Sequence, residues 1–402
     1  MNYNHPLKNG STVTIRVMCA IVFLLFSFCW LFFFQADQLA MTQHVLSGGL
    51  THYDPILGTL IITSVLMLLQ LVINGFFKLK KRSHALTYVP SMMLLALVSK
   101  VSQQIESGDG VSLWIWVLSV LVLLLWGAVA WVAKLAQEVE SDRDYSLFSR
   151  PMWINALLMA VQIICVAWIG NTNAVYHYRM QTETLLADGK YQKALEVGKR
   201  SLESDANLLM LRMYALAREN ALGEKLFEYP ITANVEQMLP TSGRTRMYYC
   251  SEDSLYKFLG GRPAEPMTPM HFLDLLERRD TTLRTPAPSR SLASVSPVIE
   301  YKLCGLLIDR QIDRFAREIG KYYELDGHLP KHYREALVLY THSRSNPVVV
   351  YHHDVTDEDW RNLIELERRY PDPTERQGRV EDQYHGTYWY YYKYLKDGQS
   401  LN

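Results

Sequence analysis

The chain has 402 residues, with 41 lysines and arginines against 41 aspartates and glutamates, and 49% of its residues are hydrophobic. This neutral balance excludes a nucleic-acid-binding protein that relies on electrostatic attraction, and the hydrophobic content excludes disorder on a large scale. The charges are unevenly spread: residues 1–170 hold 10 basic and 8 acidic side chains, whereas residues 171–402 hold 31 and 33. We therefore expect a unit embedded in the lipid bilayer, followed by a soluble unit.

Four apolar stretches are long enough to cross a bilayer, which needs roughly 20 mainly apolar residues per helix. They lie at residues 15–34, 56–77, 113–132 and 152–169. A weaker fifth stretch, at residues 85–101, contains Pro90 and ends beside Lys100, both of which membrane helices tolerate. With five spans, every lysine and arginine of the connecting loops lies on one side, which is the cytoplasmic side in bacteria.

The sequence therefore predicts a five-helix transmembrane domain at residues 1–170, in a bacterial inner membrane, with a cytoplasmic N-terminus and a periplasmic C-terminal domain. The few polar residues within the spans include Gln70, Asn155 and Gln162. Side chains of this kind join membrane helices by hydrogen bonds. Transport would require ionisable residues at membrane depth, and the spans have none, so the bundle is expected to be an anchor.

The region after the spans has the pattern of helical hairpins. Residues 187–207 resemble the second half of a tetratricopeptide repeat, with Gly189 at the turn and with Tyr191 and Ala194 opening the second helix. A second turn ends at Gly223, which is 34 positions after Gly189 and matches the period of this repeat. The copies are imperfect, since Gly198 stands where the repeat usually has a large side chain.

The predicted fold class is all-α: the transmembrane bundle, then an α-helical-hairpin (TPR-like) solenoid. We assign residues 171–262 to the repeats, 263–297 to a proline-rich connector, and 298–402 to further hairpins with an aromatic cap. The order of spans and repeats, the segment 329–340 and the aromatic run 387–392 resemble an uncharacterised group of bacterial multi-pass membrane proteins with tetratricopeptide-like periplasmic helices. The resemblance implies an architecture and no catalytic residues.

Two surfaces are candidates for binding. Stacked hairpins form a concave groove suited to a peptide or a partner helix, and its predicted lining residues are Tyr178, Gln181, Leu185, Arg212 and Tyr214. The second candidate combines aromatic and basic residues near the C-terminus: Trp389, Tyr392, Arg310, Arg314 and Arg317. The alternative for this second set is an end cap of the solenoid beside a helix whose charges are paired internally.

Signals for chemistry are few. The run His352-His-Asp354 is either a metal-binding segment or an exposed helix cap, and we expect the cap because metal ligands usually converge from separate elements. No metal and no cofactor are predicted, and the sequence has no nucleophile elbow, phosphate-binding loop or zinc-protease motif. Cys250 and Cys304 are the only cysteines after the spans, and whether they form a disulfide is left open.

The expected function is a non-enzymatic scaffold that is anchored in the membrane and presents a groove for a protein or peptide to the periplasm. The alternative is an enzyme, or an accessory subunit, that acts on lipid-linked glycans of the cell envelope. The alternative depends on acid–base groups in the short outer loops, of which Asp54 is the leading candidate.

Overall fold

The computed structural model describes residues 10–107, 113–138, 150–170, 172–279 and 295–395. Within these ranges the chain forms eighteen α-helices, short 3₁₀ segments and one π-helical turn, without a β-strand. The prediction of an all-α protein is therefore confirmed. The chain divides into two compact units, residues 1–173 and residues 174–402.

The first unit contains six α-helices: α1 (Gly10–Cys29), α2 (Ala36–Ser47), α3 (Pro55–Phe77), α4 (Val89–Ser107), α5 (Leu113–Glu138) and α6 (Arg150–Ile169). A π-helical turn, Trp30–Phe34, extends α1, and a 3₁₀ helix, Lys81–Tyr88, precedes α4. Among the described residues, four helical segments are long and apolar enough to cross a membrane: Val13–Phe34, Pro55–Phe77, Leu113–Ala136 and Arg150–Ile169. This composition is that of a membrane protein.

The fifth expected span, residues 85–101, is not among these four segments. Its residues are divided between the 3₁₀ helix and α4. The side chains of Met92 and Leu95 are buried, and so are those of Ser91 and Ser99. A helix that faces other helices does not need an apolar surface all round, so α4 retains serines that lower its hydropathy.

The 3₁₀ helix before α4 is eight residues long, whereas such runs seldom exceed three or four. Side chains from α3, α5 and α6 bind it inside the unit. Four hydrogen bonds do this: Asn155 Oδ1 accepts from Ala85 N at 2.7 Å, Gln162 Nε2 donates to Ala85 O at 3.0 Å, Trp126 Nε1 donates to Leu86 O at 2.8 Å, and Gln70 Nε2 donates to Thr87 Oγ1 at 2.9 Å. Polar side chains thus replace the backbone bonds that a regular α-helix would supply.

The second unit contains the other twelve helices: α7 (Ala174–Ala187), α8 (Tyr191–Glu196), α9 (Ala206–Arg218), α10 (Leu222–Lys225), α11 (Glu252–Leu259), α12 (Pro269–Arg279), α13 (Pro297–Ile308), α14 (Ile312–Ile319), α15 (Lys331–Ser343), α16 (Asp354–Arg369), α17 (Pro373–Tyr384) and α18 (Tyr388–Tyr394). Helices that follow one another in the chain pack together from α7 to α10 and again from α13 to α18. Helix α10 also packs against α13 and α15, and one hydrophobic core runs through the unit.

The proline-rich connector expected at residues 263–297 contains the helix α12. Pro269 occupies the first position of α12, where a helix tolerates proline because the missing N–H would have no partner there. Phe272 and Leu273 are buried, and α12 packs against α13. Residues 280–294 of the predicted connector lie outside the described residues.

The residues assigned to the repeat lie in and beside two hairpins. Gly189 has a positive φ of 71° in the turn between α7 and α8, and Ala194 is fully buried where the helices meet. A Cβ atom on Gly223 would lie 2.7 Å from the Tyr333 ring, so glycine permits α10 to approach α15. Helix α8 has only six residues. The hairpins are present, and the tetratricopeptide and solenoid assignments stay predictions.

Candidate functional site

Two of the predicted groove residues lie inside the second unit. Arg212 is fully buried, with its guanidinium 5.0 Å from the centre of the Tyr229 ring. Its Nη2 donates to the carbonyl oxygen of Val197 at 3.3 Å. Tyr214 is also buried and packs against Phe258. Both residues support the core and neither lines an open surface.

The other three groove residues lie on α7 and differ in exposure. Gln181 is exposed, whereas Tyr178 and Leu185 are half-buried. The Tyr178 ring packs against the backbone of Gly198, where a Cβ atom would lie 2.7 Å from it. The glycine that departs from the repeat pattern therefore makes room for this ring. The five predicted residues do not form one groove.

The aromatic C-terminal helix α18 faces inward. Trp389 is buried, and its indole N–H donates to the backbone oxygen of Glu335 at 2.7 Å. Tyr391 donates to the backbone oxygen of Ile308 at 2.6 Å, and Tyr392 is half-buried. These contacts are those of a cap on the helical stack, not those of an open contact surface.

The basic residues near α14 are partly paired within the protein. Arg314 Nε lies 3.0 Å from Glu318, and the Arg310 guanidinium lies over the Tyr391 ring and donates to the backbone. Arg317 is exposed. The internally paired helix is therefore the better description of this set.

The histidine run before α16 forms a helix cap. His353 is the N-cap residue, and its Nδ1 accepts from the backbone N–H of Thr356 at 3.3 Å. Within the described ranges, no three His, Cys, Asp or Glu side chains are grouped so as to hold a metal ion. Cys250 and Cys304 are both buried free thiols, so they are not joined by a disulfide.

A cleft of about 750 Å³ in the second unit was not predicted from the sequence. It lies between the loop at residues 199–202, the segment 227–230, the first residue of α15, and the turn that joins α17 to α18. A volume of this size lies within the roughly 300–1,000 Å³ of small-molecule and peptide-side-chain pockets. We call it the main cleft.

A second cavity, of about 630 Å³, lies beside the main cleft. It is lined by residues 231–237 and 308–310, and Leu395 lines both cavities. Its lining is richer in polar groups, among them Thr232, Asn234 and Asp309. The two cavities together offer an apolar part and a polar part along one stretch of surface.

Three aromatic side chains form the floor of the main cleft. Phe227, Tyr229 and Tyr390 are each only 4–5% exposed, so only a small part of each side chain meets the cleft. Burial, reinforced by the Glu381 carboxylate, raises the pKa of Tyr390 to about 12, and the phenol stays protonated at neutral pH. Leu202 is 52% exposed at the rim, which is unusual for leucine.

The charged groups on the rim are unequally compensated. Lys199 Nζ lies 3.9 Å from Glu228. Lys331 Nζ donates to the uncharged carbonyl oxygen of Gly386 at 3.2 Å. Arg200 is exposed and, among the residues that the structure describes, forms no ion pair. The rim carries three cations and two carboxylates, which leaves one cationic charge in surplus.

A buried polar junction holds the cleft in place. His332 is fully buried; its Nε2 accepts from the backbone N–H of Phe227 at 3.2 Å, and its Nδ1 lies 2.9 Å from Glu335. A backbone N–H can only donate, so the proton is on Nδ1 and is donated to the carboxylate. Glu335 also accepts from the backbone N–H of Tyr388 at 2.7 Å. The junction thus connects α15 to Phe227 in the floor of the cleft and to the start of α18.

Two further buried ionisable residues hold other segments of the unit. Glu183, on α7, accepts from the consecutive backbone N–H groups of residues 248–250, at 2.6 Å for Tyr249 and 3.2 Å for Cys250. Burial raises the pKa of Glu183 to about 7, against the opposing influence of Arg179 and of these hydrogen bonds. Lys302 is buried among three carboxylates, and its Nζ atom lies at 3.0, 2.7 and 3.1 Å from Asp274, Glu277 and Glu318.

These junctions were missed because each joins residues distant in sequence. His332 accepts from the backbone N–H of Phe227, which is 105 positions away. Spacing along one helix carries no information about such a partner. The one local signal was the presence of charged residues at buried positions of apolar helices, such as Lys302 in α13.

The sequence profile of a family of unknown function, DUF6057, matches residues 291–395. No curated protein and no solved structure matches the chain. The chain is thus a helical protein with candidate membrane-spanning helices, and its C-terminal region is similar to this family. The matched residues include α13 to α18, and therefore His332, Glu335 and one side of the main cleft.

Proposed function

We propose that this protein is a non-enzymatic, membrane-anchored scaffold that binds a protein or peptide partner in the main cleft. The observation that carries the proposal is the cleft itself, which has an apolar floor and an exposed leucine at its rim. Pockets that combine an apolar lining with a few charged groups are the usual places for ligands. The four apolar helices of the first unit supply the anchor.

We further propose that the second unit is periplasmic, in a bacterial inner membrane, with the N-terminus cytoplasmic. The course of α4 supports this. Tyr88, before α4, packs against Phe23 of α1 with 5.1 Å between ring centres, and Ser99 accepts from the Trp30 indole at 3.0 Å. Along this stretch α4 runs beside α1 in the same direction. In this proposal α4 also crosses the membrane, shielded from lipid by its neighbours. Together with the four apolar helices this makes the number of membrane passages odd, so the two ends of the unit lie on opposite sides.

Reporter fusions test this topology. Alkaline phosphatase, which is active only in the periplasm, is fused after residue 173 and, in a second strain, after Lys80. The proposal expects activity from the first fusion and none from the second. Green fluorescent protein at the same positions should give the opposite pattern. A cytoplasmic signal after residue 173 would contradict the proposed location.

Site-specific photo-crosslinking in cells tests the cleft. A photoreactive amino acid replaces Leu202 at the rim and, in a matched control, Arg317 on α14, which is also exposed. Adducts of a protein partner are expected from position 202 and not from position 317. Identical adduct patterns from both positions would show that the cleft is not the binding surface.

The alternative, an enzyme acting on lipid-linked glycans, relied on Asp54 as an acid–base group. In the structure Asp54 is the N-cap of α3, and its carboxylate accepts from the backbone N–H groups of Ile56 and Leu57 at 2.9 Å. Capping alone accounts for an aspartate at this position. No other observation favours the enzyme, so the scaffold is our proposal.

A further inference from the structure

We propose that the main cleft takes a peptide segment in which a carboxylate adjoins an apolar side chain. This inference rests on the proposed function of the cleft and adds the chemical class of the ligand. Three features of the cleft carry it: the surplus of cationic donors, the burial of the aromatic rings, and the polar cavity that continues beyond Leu395.

The donors determine the charge of the ligand. Glu228 lies 3.9 Å from Lys199, and the rim as a whole carries three cations against two carboxylates. The charge of Lys331 is met only by a carbonyl dipole, and Arg200 is exposed to solvent. A ligand that supplies one anionic oxygen group between these two cations balances the rim.

The aromatic floor determines the shape of the apolar group. Sugars bind proteins by stacking on the exposed face of an aromatic ring, and the rings of Phe227, Tyr229 and Tyr390 are at least 95% buried. The small exposed parts of these side chains, together with Leu202, form an apolar surface that fits a compact aliphatic or aromatic side chain. The floor therefore favours a peptide over a glycan.

The second cavity favours an extended ligand. It adjoins the main cleft at Leu395 and presents polar side chains such as Thr232 and Asn234. A peptide in extended conformation advances about 3.3 Å per residue and carries N–H and C=O groups along its whole length. Those groups match a polar continuation, whereas a compact ligand would fill only one cavity.

Fluorescence polarisation with the purified full chain in detergent tests the proposal. The probe is a fluorescein-labelled, C-terminally amidated peptide, Gly-Ser-Leu-Asp-Leu-Asp-Ser-Gly, and its counterpart has lysine in place of both aspartates. We expect the acidic peptide to bind at least tenfold more tightly. A third peptide, with serine in place of aspartate and a free C-terminal carboxylate, distinguishes a terminal carboxylate from an acidic side chain as the source of the charge.

Variants separate the cleft from general electrostatic attraction. Arg200→Gln and Lys331→Gln should each weaken binding of the acidic peptide at least threefold, and Arg317→Gln, which removes an exposed arginine outside the cleft, should leave it unchanged. Leu202→Asp should abolish binding. Equal binding of the acidic and lysine peptides, or equal effects of all three cation variants, would overturn the inference.

The two proposals fail in different ways. If position 202 crosslinks a partner but the acidic peptide binds no better than its counterpart, the cleft is a binding site and the ligand class is wrong. If neither the crosslink nor the peptide signal depends on the cleft residues, the proposed function itself is wrong. Circular dichroism of each variant checks that the helices are intact.

Discussion

His332 is the residue whose removal should most clearly destabilise the second unit. His332→Ala leaves the backbone N–H of Phe227 without its acceptor, and it leaves the Glu335 carboxylate without its imidazole donor, both in a buried site. An unsatisfied buried polar group costs about 1–3 kcal/mol, and more when it is charged. Allowing for the cavity left by the ring as well, we expect the free energy of unfolding to fall by about 3–5 kcal/mol.

Pulse proteolysis in urea, with the full chain in a mild detergent, measures this loss. The matched control is His328→Ala, because His328 is exposed and lies four residues earlier; it should change the free energy of unfolding by less than about 0.5 kcal/mol. Hydrogen exchange provides a local readout, since the amides of Phe227 and Tyr388 should exchange faster in His332→Ala. Equal midpoints for the two variants would refute the junction as an energetic link.

Three further predictions concern other buried polar groups. The pKa of Glu183 is raised from 4.5 to about 7, so the folded state binds the proton of this carboxyl more tightly than the unfolded state does. The free energy of unfolding should therefore rise by up to about 3 kcal/mol as the pH falls from 7 to 4.5. Glu183→Gln should flatten this pH dependence in urea titrations. Lys302→Met leaves Glu277 without its cation and leaves Asp274 and Glu318 with Arg314 alone, so it should cost about 3–5 kcal/mol by the same assay, whereas exposed Lys193→Met should be neutral. Asn155→Ala removes the acceptor of Ala85 N and should lower the thermal midpoint of the full chain in detergent, unlike Cys165→Ala on an exposed face of the same helix.

The membrane unit illustrates what apolar length can and cannot predict. The four candidate spans are apolar over most of their length and expose many apolar side chains, so a hydropathy average detects them. Helix α4 buries Met92, Leu95 and two serines against its neighbours, and these serines lower that average. An average over a helix cannot separate a polar residue that faces protein from one that faces lipid.

The second unit shows the same limit in another form. Helical periodicity indicates where α7, α9 and α15 lie, but it does not measure how deeply a side chain is buried. The sequence therefore predicted Arg212 in an open groove, whereas its side chain is fully buried. Its burial depends on the Tyr229 ring and on carbonyl groups of the loop after α8. The main cleft is likewise formed by segments up to 196 positions apart, from Lys199 to Leu395, and no local pattern brings them together.

The region that matches DUF6057 should not fold by itself, although a family boundary encloses it. Three of its contacts lead outside: His332 accepts from Phe227 N, Lys331 N donates to Glu224 at 2.7 Å, and Tyr333 packs on Gly223. Without α10 and the segment after it, the apolar faces of α13 and α15 are exposed to water. Each buried side chain that becomes exposed costs about 1.5–3 kcal/mol, which exceeds what a small domain has to spare after a few such losses.

Two fragments test this dependence. Residues 174–395 comprise the second unit to the end of the described chain, and urea should unfold them in one cooperative transition. Residues 291–395 alone should show a broad transition, bind a hydrophobic dye and exchange their amides rapidly. Adding a peptide of residues 219–237 in excess should restore part of the protection, because it returns Gly223, Glu224 and Phe227 to their partners. A sharp transition of the shorter fragment at the same urea concentration would mean that α10 contributes little, and the junction at His332 would then be a consequence of folding and not one of its causes.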